Sequence, residues 1–359
     1  MSTKPPGNLN VSDMPQFVML TFDDAIREQN MEFYRKLLDP GRSRNRANGC
    51  NMAATFFVSA GYTDYSLVYE IHSVGSKIAI HSITHRDNLT YWRALDVAGW
   101  EAEFVGERDL LRDYALIPDE DVIGARAPYL ESGNGSAYTM MRQNGFVYDS
   151  SLCIDGSVLR EHRGRQDALL PVHAGLRPIG LTCAVPSCPS GIHRGLWLVP
   201  LNSYYMTTTS DGDGSRTIVS SCNMPDACTP MPTSEAEMLD FLRSNFELYY
   251  HTNRAPFPLF THETWLWTPG RRQGYLSFVN WLLTLEDVFV VAVAEVVRFM
   301  RDPKPLGEYM LASCSRASEF KRCPQVHACW FPDSPIEETW NLVGCRPCPE
   351  NCPWLRDVV

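Results

Sequence analysis

Lys77-Ile78-Ala79-Ile80-His81-Ser82-Ile83-Thr84-His85 decides how this chain is read. Ile78, Ala79 and Ile80 form a short apolar run of the kind that makes a buried strand. Two histidines, four residues apart, follow at its end. A buried strand is a rigid mount for imidazole nitrogens, which zinc and related ions accept at about 2.0–2.1 Å. Spacing alone does not establish a metal site, because His-x-x-x-His pairs are common at structural or exposed positions. A second apolar run strengthens the reading. Phe17-Val18-Met19-Leu20-Thr21-Phe22 runs straight into Asp23-Asp24.

Working outward, strands are expected at 17–22, 54–59, 78–80, 122–129 (a strand and its exit), 146–150, 196–201, 257–262 and 288–293. Helical spacing predicts helices over 30–38, 65–74, 96–114, 136–144, 233–252, 275–285 and 294–300. Gly75 and Gly145 stand where helix-ending glycines belong. Thr233-Ser234-Glu235-Ala236-Glu237 carries a capping signature. Strands alternating with helices at this spacing imply parallel pairing and a (β/α) barrel. In such barrels reactive side chains sit at the C-terminal strand ends. Asp23, Asp24, His81, His85, Arg126, Asp149 and His262 all fall there, and that coincidence carries the most weight.

The expected organisation is a polar lead-in over 1–15, then a barrel over 16–302. The barrel is interrupted by insertions at 155–195 (with Cys183 and Cys188) and 203–232. A Cys-rich extension over 303–359 shows no periodic pattern and is too polar to build a core alone, so cross-links or docking on the barrel must hold it. A small carbohydrate-binding module is the functional alternative for that segment. The chain is 359 residues long, with 44% hydrophobic and 21% charged residues, ordinary for a globular protein. A net charge of −10 argues against a nucleic-acid partner, since no basic stripe exists to neutralise phosphates, and suits a neutral substrate.

Twelve cysteines, only Cys345-Arg-Pro-Cys348 spaced as a zinc ribbon would require, point to disulfides and secretion. Three glycosylation sequons, beginning at Asn10, Asn88 and Asn134, agree. The first residues have no apolar signal-peptide core, so a secreted chain is expected to have had one removed. No stretch is long enough for a membrane-spanning helix.

Thr21-Phe22-Asp23-Asp24, His81-Ser82-Ile83-Thr84-His85 and Arg126-Ala127-Pro128-Tyr129 together resemble the first three motifs of the carbohydrate esterase family 4 polysaccharide deacetylases. The surrounding wording is most similar to arthropod chitin deacetylases without a separate chitin-binding domain, over about 15–302. The resemblance implies a distorted (β/α) barrel of the NodB type. It also implies a metal, Zn2+ or another divalent cation such as Co2+, on Asp24, His81 and His85.

By the same likeness Asp23 is the catalytic base and Arg126 holds it ionised. The Tyr129 backbone N–H helps hold the oxyanion. His262 is the general acid that an amide leaving group needs. After His262 stands Glu263, where many members have Asp. Asp149-Ser150-Ser151 looks like the fourth motif without its usual tryptophan, so Trp197 or Trp265 is expected to line the substrate pocket with Tyr129 and Asp149.

The implied function is metal-dependent N-deacetylation of chitin or chitin oligosaccharides, giving glucosamine and acetate. The implied protein is a secreted monomeric glycoprotein of cuticle or peritrophic matrix, with no nucleic-acid or membrane partner. A non-catalytic chitin-binding matrix protein of the same fold, or a deacetylase of another N-acetylated glycan such as peptidoglycan, is the alternative.

Overall fold

Gln16–Asp23 (β1) is buried at every position, as a central parallel strand covered on both faces must be. The computed structural model in which it lies describes residues 3–133, 135–153, 168–174, 191–209, 216–309, 314, 316–332 and 340–355. Beside β1 run Thr55–Ser59 (β2) and Lys77–Ser82 (β3), then the two-residue strands Gly124–Ala125 (β4) and Tyr148–Asp149 (β5). Val172–His173 (β6) and Trp197–Leu198 (β7) extend the sheet, and Tyr204–Thr209 (β8) pairs with Arg216–Cys222 (β9) as a separate antiparallel ribbon. Phe257–His262 (β10) and Val288–Val290 (β11) return to the sheet.

The strand order is β10-β1-β2-β3-β4-β5-β7-β6, with β11 also on β1. Every pairing is parallel except β6 with β7. The sheet curls without joining β10 to β6 among the described residues, so it is an open, distorted form of the expected barrel.

Among the described residues the α-helices are Glu28–Leu37 (α1), Tyr65–Ser73 (α2), Leu89–Ala94 (α3), Val97–Tyr114 (α4), Ser136–Gln143 (α5), Glu235–Tyr250 (α6), Pro269–Leu282 (α7), Val293–Arg301 (α8) and the single turn Leu306–Tyr309 (α9). The two longest start on side-chain caps. Asp96 accepts from Gly99 N–H at the head of α4, and Ser234 with Glu237 forms a full capping box on α6. Gly75 and Gly145 take positive φ just past α2 and α5, as expected.

The differences from the sequence reading have physical causes. The strands at 122–129, 146–150 and 196–201 shrink to two residues each, the residues on either side making only isolated backbone bonds to their neighbours. At Gly124 a Cβ would lie 1.9 Å from the Tyr148 ring, so that strand admits only glycine. The insertion at 203–232, for which no element is expected, carries the β8–β9 ribbon, whose Thr- and Ser-rich strands give only a weak apolar signal. Helix α3 lies in a stretch with no predicted element, and α7 begins six residues before the predicted 275, at Pro269.

The extension contains an antiparallel hairpin, His327–Phe331 (β12) with Trp340–Gly344 (β13). It docks on the main domain: Leu342 and Trp340 are buried in the main core, and Cys345 N–H donates to the Tyr114 carbonyl. Cys345 and Cys348 pair with Cys323 and Cys329 respectively, and Cys50 with Cys314 ties the extension to the barrel. Cys183, Cys188 and the Asn134 sequon lie outside the described residues.

Candidate active site

Parallel register puts the chemistry-bearing residues side by side. Asp23 is level with His262 across β1 and β10, and Ala125, just before Arg126, is level with both Ile80 and Asp149. The loops leaving these strands are bent sharply. Asp24, Ser82, His85 and Tyr129 all have positive φ, between 42° and 98°. Each such non-glycine residue costs about 1–3 kcal/mol, and strain of this kind gathers at functional sites.

Asp24, His81 and His85 converge. Asp24 Oδ1 lies 3.7 Å from His81 Nε2 and 3.5 Å from His85 Nε2. All three ligand atoms fall within 4.8 Å of one another. Donors around a tetrahedral ion with bonds of about 2.0–2.1 Å stand about 3.4 Å apart, so the set fits zinc. The tautomer is arranged for it. His81 Nδ1–H donates to the Arg126 carbonyl at 2.7 Å, which leaves the Nε2 lone pair facing Asp24. Burial, the largest influence, holds the His81 imidazole down at about 4, so the ring is neutral at physiological pH.

Asp23 is held from the other side. Arg126, fully buried, gives Nη1 to Asp23 Oδ1 at 2.5 Å and to Thr21 Oγ1 at 3.1 Å. Its Nε and Nη2 go to the Ser150 carbonyl and hydroxyl. Its guanidinium lies between the Phe57 and Phe260 rings, 4.0 and 4.5 Å from their centroids. Burial alone would raise the Asp23 carboxyl. The charges of Arg126 and His262 and the Arg126 hydrogen bond outweigh it, so Asp23 sits below the usual carboxylate range and is ionised.

His262 faces the same centre, its Nε2 4.0 Å from Asp24 Oδ2. Asp226 Oδ2 accepts from both the backbone N–H and ring Nδ1–H of His262, at 2.8 and 2.7 Å. Burial pushes the imidazolium down. The Asp226 hydrogen bond and the charges of Asp23, Asp226 and Asp24 more than reverse it and lift the ring to about 9. A cation on Asp24 would oppose that lift. Asp226 comes from the insertion at 203–232, inside the Cys222–Cys228 loop. No motif marks it; the two cysteines around it are the only sequence signal.

The remaining predicted site residues separate. Tyr129 is 41% exposed, its ring 5.1 Å from that of His85, at the mouth of the site. Asp149 is buried and accepts from Tyr138 and Ser151 hydroxyls, so its carboxylate is engaged within the protein. Burial, only partly offset by those bonds, raises it. Trp265 is buried, and the Trp197 ring meets His173. The exposed tryptophan near β10 is Trp267, with its indole N–H fixed on Glu263. A cavity of about 790 Å³, lined by Lys77, Ile123 and Val147, lies at the opposite, N-terminal strand ends, away from this chemistry.

The arrangement offers a three-ligand metal set, an ionised carboxylate and an imidazolium around one point. No family model matches the chain. It is 34% identical over 361 residues, 98% of its length, to chitin deacetylase 1 of Bombyx mori, of which it spans 64%. It is 31% identical over 362 residues, 99% of its length, to chitin deacetylase 8 of Bombyx mori, of which it spans 88%. The chain thus spans just under two thirds of the first of these relatives. In fold it resembles a solved "probable polysaccharide deacetylase" of Pseudomonas aeruginosa PAO1, with TM-score 0.51 and 13% identity, over 80% of this chain and 92% of that one.

Proposed function

We propose that this chain, which belongs to the chitin deacetylase family of polysaccharide deacetylases (carbohydrate esterase family 4), hydrolyses the N-acetyl groups of chitin to give acetate and glucosamine units. The observation that carries this reading is the meeting of the Asp23–Arg126 pair, the Asp24–His81–His85 set and the His262–Asp226 pair at adjoining strand ends. Zinc is the proposed ion, since one carboxylate and two imidazoles leave an open position of the catalytic type. Held by these residues, it would supply Lewis-acid polarisation of the acetyl carbonyl and a lower pKa for the attacking water.

The chain's own groups do the rest. Asp23, ionised and fixed by Arg126, takes the proton of the attacking water as its oxygen bonds the acetyl carbon. The Tyr129 backbone N–H donates to the carbonyl oxygen as charge gathers there. His262, aimed by Asp226, gives its Nε2 proton to the glucosamine nitrogen as the C–N bond breaks. Tyr129 and Trp267 are the exposed rings that would meet sugar faces. The described disulfides support an oxidising, extracellular setting, and we assign the protein as a monomer to a chitinous matrix such as cuticle or peritrophic matrix. Among the described residues no helix is long and apolar enough to cross a membrane.

Acetate release from chitin oligomers and polymer, with and without a chelator, tests the reading. Asp23→Asn is expected to keep its zinc by elemental analysis and lose about 10²–10⁴-fold in rate. Chelator-insensitive release, or equal turnover in the variant, would refute it.

A further inference from the structure

The segment between the two histidines leaves regular structure. Ser82 and His85 have φ of 98° and 42°, and among the described residues no strand pairs with Ile83 or Thr84. Buried N–H groups need acceptors. Both are found on one residue, whose main-chain carbonyl also lies within reach of Ile83 N–H, at 3.2 Å. Glu103 Oε2, from α4, accepts Ile83 N–H at 3.1 Å and Thr84 N–H at 2.9 Å. Its Oε1 accepts the Thr84 and Tyr91 hydroxyls, each at 2.6 Å. Ile83 itself is buried with its side chain against Gly106, one turn further along α4, where a Cβ would come within 2.7 Å.

Glu103 is fully buried, and among the described residues no Lys or Arg forms an ion pair with it. A buried carboxylate is expensive unless hydrogen bonds or charges compensate it, and apolar residues would fill a merely structural position more cheaply. Its compensation comes from four donors, three on the loop that joins His81 to His85 and the fourth on Tyr91. We infer that Glu103 is a positioning residue for the metal set: it fixes the 82–85 loop so that both imidazoles are in place before an ion arrives. The inference rests on the metal reading above and deepens it. The residue touches neither substrate nor ion; it acts through the backbone between two ligands.

Zinc affinity by chelator competition, and hydrogen exchange of the metal-free protein, separate this role from general stability. In Glu103→Ala the Thr84 amide, which loses its acceptor, should exchange faster, and the zinc Kd should rise about 10–100-fold, as for lost supporting partners in other metal sites. Glu103→Gln should restore the Kd to within about three-fold. Its carbonyl can take both N–H groups, and its NH2 can donate to the two hydroxyls. Unchanged affinity in the alanine variant, or a glutamine variant as weak as alanine, would overturn the inference. Should the alanine variant fail to fold, Glu103→Asp, with a reach one methylene shorter, is titrated instead: a raised Kd is expected, and an unchanged one overturns the inference. A wild-type chain that binds no zinc would sink the metal reading itself, a different outcome from equal binding by wild type and variant.

Discussion

Asp226→Asn removes one negative charge from beside His262 while keeping an oxygen that can accept its Nδ1–H. In the native chain that charge and its hydrogen bond supply much of the lift that takes the ring from 6.5 to about 9 against the effect of burial. Asp23 and Asp24 stay in place, so part of the lift survives. An opposite charge at contact distance moves a neighbour by about 1–3 pH units. With 39% of the His262 side chain exposed, water screens the pair, and a fall of about one to two pH units follows.

The sign is fixed by which form works. In the proposed mechanism the cationic ring donates the proton, so activity is present below its pKa and lost as pH rises through it. The alkaline limb of kcat/KM should therefore move down by about one to two pH units, while the acid limb, set by Asp23, stays. Bound metal lowers His262 in both proteins, so they are compared at equal metal loading. The assay is acetate release from short chitin oligomers across the pH range, paired with an NMR titration of the His262 ring in metal-free protein. Stability carries the same signature. A raised folded pKa stabilises fully below 6.5 and stops doing so as pH rises through about 9, so native and variant should differ most in acid. Coincident alkaline limbs and ring titrations in the two proteins would refute the argument.

Further outcomes follow from the same geometry. Arg126→Met keeps the volume between Phe57 and Phe260 but leaves Asp23 buried and unpaired, so it should destabilise by about 3–5 kcal/mol in urea unfolding. It should also raise the acid limb, because burial then acts on Asp23 with less opposition; a loss under about 1 kcal/mol would count against the pair. Cys222→Ser with Cys228→Ser frees the loop that carries Asp226, and should shift the alkaline limb in the direction of Asp226→Asn. Adding Asp226→Asn on top should then shift it little further, whereas full additivity would show that the disulfide does not aim the aspartate.

Much of the fold was legible because central parallel strands announce themselves. Phe17 to Phe22 and Thr55 to Val58 are buried on both faces, so they read as unbroken apolar runs with nothing to confuse them. Capped helices did likewise at Asp96 and Ser234. The edge of the sheet was less legible. β4, β5 and β7 are two residues long because the curl brings only those residues into register, a tertiary fact that periodicity cannot carry. The β8–β9 ribbon lies in the insertion at 203–232, where threonines and serines dilute the apolar alternation. The hairpin in the extension was hidden for a related reason: its buried positions are Cys329, Trp340, Leu342 and Gly344, of which only Trp340 and Leu342 carry large apolar side chains.

The site divides along a similar line. Residues that would touch metal or substrate sit in short motifs at strand ends, and the sequence could place Asp23, Asp24, His81, His85, Arg126 and His262 together. Residues that hold those groups in position are chosen by proximity in space. Asp226 lies 36 positions from His262, Ser150 lies 24 from Arg126, and Glu103 lies 19 from Thr84. On α4, Glu103 reads as one more solvent-facing charge of an amphipathic helix, and its complete burial is invisible until the Thr84 N–H and the Thr84 and Tyr91 hydroxyls are seen to converge on it. A carboxylate partner of this kind is found by asking where each buried N–H finds its acceptor, a question the sequence cannot pose. At the substrate-facing rings the two levels part most. Trp265 and Trp267 are two residues apart, so pattern gives no reason to prefer either, yet the short helical turn after β10 buries the first and exposes the second.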